Sequence, residues 1–444
     1  MKWIIITHYG LSKRDVASRR IIYLCNSLVS EGEEVTLVTW GSNYNPEELY
    51  LTDNRVKIKL VYYKRIRLAS LVQRRAIKTA SNSISSLNIN DSERNPGIIK
   101  KVKFILRTLF ADPYNTIFEH LLNKEFLKIS ERQYFNIVKR EEIGALRSSI
   151  KTIVFTSASP AVMHRIGARI KESYPNVFWV ADYRDQLIRN PVGQETPRTR
   201  RADFLAIRNA DMLTTVSKGL MQEIANNPAF DQEYVFSKAY TLYNGFLRKP
   251  CEKANDSRTP TRRIRIVYTG LLYPMRRIDY LIKALSMVNS MTKRGYELVY
   301  CGSSGSIVDR LTIDENAKSF VTNKGFVSKE EVEIAQNDAD ILLLLKSNVP
   351  ETGGMTGKFF EYLEKDKPIL VLGDSDPEFN DIANKIGGIF VLPYDENRIR
   401  IFLLDFANKG HFAIRRSDEE VRNFDWHNLV KSLIDEVKSR MKEV

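Results

Sequence analysis

Cysteine is scarce in these 444 residues: only Cys25, Cys251 and Cys301 occur. An odd number of thiols so far apart excludes a disulfide framework and points to a reducing compartment. Histidine is nearly as rare. The five, His8, His120, His164, His411 and His427, show no metal-ligand spacing, so no metal and no bound cofactor is expected. No apolar run approaches the ~18 residues of a membrane span. The run behind Met1-Lys2 covers only Trp3 to Ile6, too short for a secretion signal. The protein is expected in the cytoplasm, peripherally on the cytosolic face of a membrane.

Acidic residues are outnumbered, 54 against 68, and the formal net charge is +14. The excess is local. Between Arg55 and Arg107 stand fourteen Lys/Arg and two acids, Asp91 and Glu93. Ile98, Val102, Ile105 and Leu109 recur there at helical spacing, with Lys100, Lys101, Lys103 and Arg107 between them. A basic amphipathic insertion over about 55–110 reads as a contact to an anionic membrane surface, worth about 1 kcal/mol per basic residue. No recognised nucleic-acid module accompanies the charge, so no nucleic-acid partner is expected.

With 43% hydrophobic residues the chain can bury two or three cores. Short apolar runs alternate with helical periodicity. Trp3–Thr7, a helix over about 17–31 and Glu34–Thr39 open the chain as β-α-β; the pattern resumes at Thr152–Thr156 and continues to Tyr240–Tyr243. It restarts at Arg265–Tyr268 and runs through Glu297–Tyr300, Ile341–Leu345, Ile369–Leu372 and Gly388–Leu392. The fold class is therefore α/β, two tandem Rossmann-like, doubly wound domains facing across a cleft. The expected division is an acceptor domain over 1–249, a linker over 250–261, a donor domain over 262–424 and a last helix over 425–444 that packs back on the first domain.

The most informative segment is Gly353-Gly354-Met355-Thr356-Gly357-Lys358-Phe359-Phe360-Glu361, between two apolar strands. Strand, glycine-rich loop and helix start form an anion cradle. Glycines admit backbone amides close to a ligand, and a helix N-terminus adds roughly half a positive charge. Thr356 and Gly357 are the expected diphosphate amides, Lys358 a phosphate cation, and Glu361 a carboxylate for sugar hydroxyls. Arg276, or its neighbour Arg277, follows a glycine turn at the mouth of the second domain and is a candidate second cation. Asp182, Arg184 and Asp185 crowd a strand end of the first domain, where one carboxylate is expected to be held by Arg184. They are the candidate catalytic residues. Asp374-Ser375-Asp376 looks like a metal-binding D-x-D, but a polar turn fits its place better.

The second half resembles the retaining GT-B glycosyltransferases of the GT4 type. The likeness rests on Val267-Tyr268-Thr269-Gly270 followed by Arg276-Arg277-Ile278-Asp279, on Glu297 to Gly302, on Lys324-Gly325-Phe326-Val327-Ser328, and on the cradle through Lys367-Pro368. In the first half, Ser157-Ala158-Ser159-Pro160, Trp179 to Asp185 and Tyr243-Asn244-Gly245-Phe246 are similar to a polysaccharide-assembly branch. The resemblance covers nearly all of the chain except about 43–145. It implies that Gly270, Gly302, Phe326, Val327 and Gly353 belong to the donor site and that Glu361 holds a ribose. It also implies sugar transfer from a nucleotide diphosphate-sugar to a lipid-linked saccharide or surface polysaccharide, with retention and without metal. The family usually carries two glutamates eight residues apart; here Gly353 stands where the first belongs, with Glu351 two residues before it. A nucleotide-sugar epimerase of the same fold, or a catalytically degenerate sugar-binding subunit, are the alternatives.

Overall fold

A computed structural model describes residues 1–9, 11, 16–40, 52–61, 131–142, 144, 146–147, 151–158, 160–188, 195–247, 262–272, 275–303, 307–309, 315–346, 355–373, 376–409 and 416–443. The proposed linker, most of the basic insertion, Glu351, Gly353 and Asp374 lie outside the described residues. The insertion was expected to begin at about 55, but Lys57–Val61 belong to the first sheet as its edge strand. Lys57 and Lys59 serve there as partners for Glu34 and Glu141, which charges an edge that would otherwise invite pairing.

Two parallel sheets organise the chain. The first contains β1 (Lys2–Thr7), β2 (Glu34–Trp40), β3 (Lys57–Val61), β4 (Thr152–Ala158), β5 (Phe178–Tyr183), β6 (Met212–Thr215) and β7 (Ala239–Thr241), in the order β3-β2-β1-β4-β5-β6-β7. The second contains β8 (Ile264–Thr269), β9 (Tyr296–Cys301), β10 (Val321–Asn323), β11 (Ile341–Leu345), β12 (Ile369–Leu372) and β13 (Ile389–Leu392), in the order β10-β9-β8-β11-β12-β13. In each, the strand order reverses beside the first strand, which opens a crevice at the carboxyl ends. The expected two-domain doubly wound architecture is the one observed.

Both faces of each sheet are covered, which is why the strands read as continuous apolar runs rather than as alternation. Ile4 and Ile6 enter one core of the first domain while Trp3 and Ile5 enter the other. The first core is closed by the helices 131–142, Val162–Ser173 and Pro197–Asn209. The second is closed by the helix Val16–Ser30 and by the last helix, Trp426–Glu443, whose Trp426, Val430, Leu433 and Val437 pack with Leu24 and Leu28. The chain returns to the first domain beside its exit point. Phe246 N donates to Phe424 O at 3.1 Å, and Trp426 N donates to Phe246 O at 3.0 Å. A Cβ on Gly245 would meet Leu429 Cδ1 at 2.6 Å, so only glycine lets the two crossings lie side by side.

A polar row crosses the carboxyl edge of the first sheet. Thr7, Ser157, Asp182 and Thr214 are register partners on β1, β4, β5 and β6. Asp182 is fully buried and its carboxylate is saturated. Oδ1 accepts from Arg20 Nη2 at 2.8 Å and Thr214 Oγ1 at 2.9 Å, and Oδ2 accepts from Ser157 Oγ at 2.7 Å. Burial pushes its pKa up, but the Arg20 charge and these hydrogen bonds outweigh burial and hold it below the usual carboxylate range. The cation that holds Asp182 is thus Arg20, while Arg184, expected to hold one carboxylate of this cluster, donates from its Nε to Ala158 O at 2.8 Å. Asp182 therefore ties strand ends together rather than facing the cleft. Asp182→Ala would strand the buried Arg20 charge, and the unfolding free energy should fall by about 3–5 kcal/mol in urea titrations followed by circular dichroism. Unchanged stability with lost activity would instead make Asp182 a reacting group.

Candidate functional site

The second sheet's reversal point is built for close backbone approach. Gly270 ends β8 with φ 108°, and a Cβ there would lie 2.6 Å from Lys358 Nζ. A Cβ on Gly302 would collide with the carbonyl oxygen of Gly270. Gly270 N donates to Cys301 O and Gly302 N to Gly325 O, each at 2.7 Å, which fixes three loops against one another. Tyr268 and Tyr300 stack beneath them, ring centroids 5.9 Å apart.

The helix Gly357–Glu364 points its N-terminus at this place. Its alignment comes from Tyr362, whose hydroxyl lies 3.1 Å from Thr269 Oγ1, while Gln336 Nε2 donates to the same oxygen at 3.2 Å. Phe359 and Phe360, fully buried, fasten the opposite side. Thr356 occupies the N-cap position, yet its side chain makes no capping bond. Its hydroxyl is buried and has no partner among the described residues. A helix start normally satisfies its amides through such a cap. Phe359 N already donates to Thr356 O at 3.0 Å, so among the described residues the Thr356 hydroxyl is the group left for an anion at this helix start.

Two cations complete the cradle. Lys358 Nζ lies 4.2 Å over the Tyr268 ring. Burial first, and then the nearby Arg276 charge, lower its pKa to about 7 against the opposing effect of Glu361. Of the two arginines proposed from the sequence, Arg277 forms a bidentate pair with Asp279 at 2.9 and 2.8 Å and covers Tyr280. Arg276 is the one whose charge reaches Lys358. Phe326 is 67% exposed beside Gly325, an apolar plate at the rim, and Val327 packs inward against the second core of this domain.

Glu361 faces the other domain, where Arg19 Nη1 donates to its Oε1 at 2.6 Å. The sequence reading missed Arg19. It also missed Arg20, although a signal was present: Arg20 falls among Ala17, Ile21, Leu24 and Leu28 on the buried face of its helix, where an arginine demands a partner. A second contact crosses between the domains at Glu378, which accepts from Lys218 N, Gly219 N and Tyr243 Oη at 2.9, 3.1 and 2.7 Å.

On the first domain's side of the cleft stand His8, Tyr9 and Arg184. His8 stacks on Trp40 at 5.4 Å, and burial together with the Arg184 charge lowers its pKa to about 4, so it is neutral at physiological pH. Arg184 lies 6.0 Å from the Tyr9 ring, and Asp185 is exposed. Asp376 caps the helix Pro377–Ile386 and pairs with buried Lys346 at 3.2 Å, a structural use of the D-x-D-like turn. Among the described residues no cluster of three or more His, Cys, Asp or Glu is placed to hold a metal.

No protein-family model matches the sequence. No curated protein matches it either. Solved structures do match in shape. The lipopolysaccharide outer core galactosyltransferase WaaB, in its apo form, aligns with a TM-score of 0.56 at 12% identity, over 99% of this chain and 100% of its own. HepE of Anabaena in complex with UDP-glucose aligns with a TM-score of 0.58 at 13% identity, over 99% and 100%. The UDP-forming alpha,alpha-trehalose-phosphate synthase of Burkholderia vietnamiensis aligns with a TM-score of 0.58 at 10% identity, over 100% of both chains. At such identities the likeness is one of fold: the chain has the two-domain α/β architecture called GT-B.

Proposed function

We propose that the protein is a glycosyltransferase that draws a sugar from a nucleotide diphosphate-sugar bound to its second domain. The observation that carries this reading is the cradle itself: the helix start at Thr356, without a side-chain cap, with Lys358 and Arg276 beside it. A diphosphate fits that set, since it offers acceptor oxygens to the hydroxyl and negative charge to both cations. Phe326 would lie against the base. Glu361 Oε1 is held by Arg19, which leaves Oε2 for ribose hydroxyls. The UDP-glucose complex of the similarly folded HepE supports the choice of donor.

The chemistry follows from the same groups. As the glycosidic bond breaks, charge accumulates on the leaving diphosphate. Fixed donors and cations at that point lower the barrier because they need no reorganisation. Lys358 and Arg276 supply the positive charge, so the reaction is proposed to run without metal. Attack by the acceptor hydroxyl from the same face as the leaving group gives retention. The acceptor, a lipid-linked saccharide or surface polysaccharide, binds the first domain near Arg184 and Asp185. The basic residues beyond Val61, to about 110, hold the protein at the anionic membrane surface where such acceptors reside. No helix among the described residues is long and apolar enough to cross that membrane.

Glu361→Ala and Lys358→Ala should each weaken donor affinity about 10- to 100-fold, the loss of one charge-assisted hydrogen bond. Calorimetry with UDP-sugars and their counterparts on other bases reads this directly, and wild-type affinity and turnover in both variants would sink the site. The pH dependence has a definite sign. Free Lys358 is charged below about pH 7 and neutral above it, and a bound diphosphate raises its pKa by favouring the charged form. Affinity should therefore fall as pH rises above 7, with a proton taken up on binding. Titrations in buffers of different ionisation enthalpy measure that proton, and Lys358→Arg, charged throughout, should flatten the profile.

A further inference from the structure

A second groove lies on the first domain, between the helices Val162–Ser173 and Pro197–Asn209. Its volume is about 780 Å³. Arg165 and Arg169 stand one turn apart on one wall, and Arg201 and Arg208 stand two turns apart on the other with Phe204 between them. Cations thus recur along the helix axes at intervals of about 6 and 10 Å. Both helices follow strands whose carboxyl ends face the cleft, so the groove leads away from the cleft rim.

The groove's lining carries five cations against two carboxylates, Glu131 and the exposed Glu172, and the cations are unequally committed. Arg165 is bridged to Glu131 and Lys171 to Asp211, each at 2.8 Å. Arg169, Arg201 and Arg208 are exposed, and among the described residues no carboxylate pairs with them. Each lies instead over an aromatic ring: Arg169 is 4.1 Å from Phe135, and Arg201 and Arg208 are 5.8 and 6.0 Å from opposite neighbours' shared ring, Phe204. A guanidinium seated on a ring keeps its N–H donors at the edge, where an anion can engage them. Phe204 is itself backed by Phe230 at 5.1 Å.

We propose that this groove binds an anionic glycan chain, a saccharide whose units carry carboxylate or phosphate groups. A single small anion would engage one or two of these cations, whereas an extended chain engages the series. Sugar rings also present apolar C–H faces to Phe204. A groove between two helices suits an extended chain better than the plane of a bilayer. That the chain is the acceptor rests on the glycosyl-transfer reading. That it is anionic rests on the groove alone.

The test uses the full chain and a fluorescent oligogalacturonate, with a neutral malto-oligosaccharide, phosphatidylglycerol vesicles and a single-stranded oligonucleotide as comparisons. The oligogalacturonate should bind, and its affinity should fall with added salt. The double variant Arg169→Glu/Arg208→Glu should bind it about tenfold more weakly. Nucleoside diphosphate affinity, measured on the same preparation, should stay at the wild-type value and certify the fold. Equal binding of the neutral oligosaccharide, wild-type affinity in the double variant, or binding confined to vesicles or oligonucleotide would overturn the proposal. Because the nucleotide is read separately, a protein that binds oligogalacturonate but no nucleotide would refute the donor reading and leave the groove standing.

Discussion

One buried guanidinium holds the first domain in working order. Arg20 Nη2 meets Asp182 at 2.8 Å and Leu242 O at 2.9 Å, and its Nη1 meets Tyr243 O and Asn244 Oδ1, both at 3.0 Å. Its plane lies 5.4 Å from Trp426. One side chain thus joins the first helix, the ends of β4, β5 and β6, the exit strand and the returning C-terminal helix. Desolvating an arginine is costly unless its donors are met; here both Nη groups are met, and Nε has no partner among the described residues. The neighbouring Arg19 inherits its position from this anchor. It reaches Glu361 because its helix is pinned one residue later.

The two domains use one topology to opposite ends. Each sheet opens a crevice where its strand order reverses. In the first domain a carboxylate and a cation of the protein's own, Asp182 and Arg20, occupy the place, although Thr7 Oγ1 at the same edge has no partner among the described residues. In the second, glycines at 270 and 302 remove the side chains, a threonine hydroxyl is left unmatched and a lysine is buried until its pKa reaches about 7. Unmet polar groups are unfavourable for folding and favourable for ligand binding.

The sequence carried the architecture well, since apolar runs buried on both faces announce a parallel sheet. It also carried the cradle, because strand, glycines, lysine and helix start are contiguous. It was weaker where local composition misleads. The periodic residues from Phe204 to Ala210 show only the later part of the helix Pro197–Asn209, which begins in a basic stretch where Thr196 and Thr199 form a reciprocal cap and Pro197 suits a first turn. The strand Lys57–Val61 was hidden by its charges, which suit an exposed edge. Asp182 drew notice for the right reason, a carboxylate at a strand end, but its partner lies 162 residues away along the chain.

What the sequence determined by itself is therefore the local chemistry: two doubly wound halves, a helix start bearing Lys358 and Glu361, and an excess of positive charge. What only the tertiary structure decided is which charges are spent. Arg277 and Asp182 are taken up by Asp279 and Arg20, Arg276 is turned towards Lys358, and Glu361 is shared with Arg19 across the cleft. The reason is physical. Propensity and periodicity act over a few residues, whereas the pairing of charges depends on which ends of which strands the fold brings to one edge.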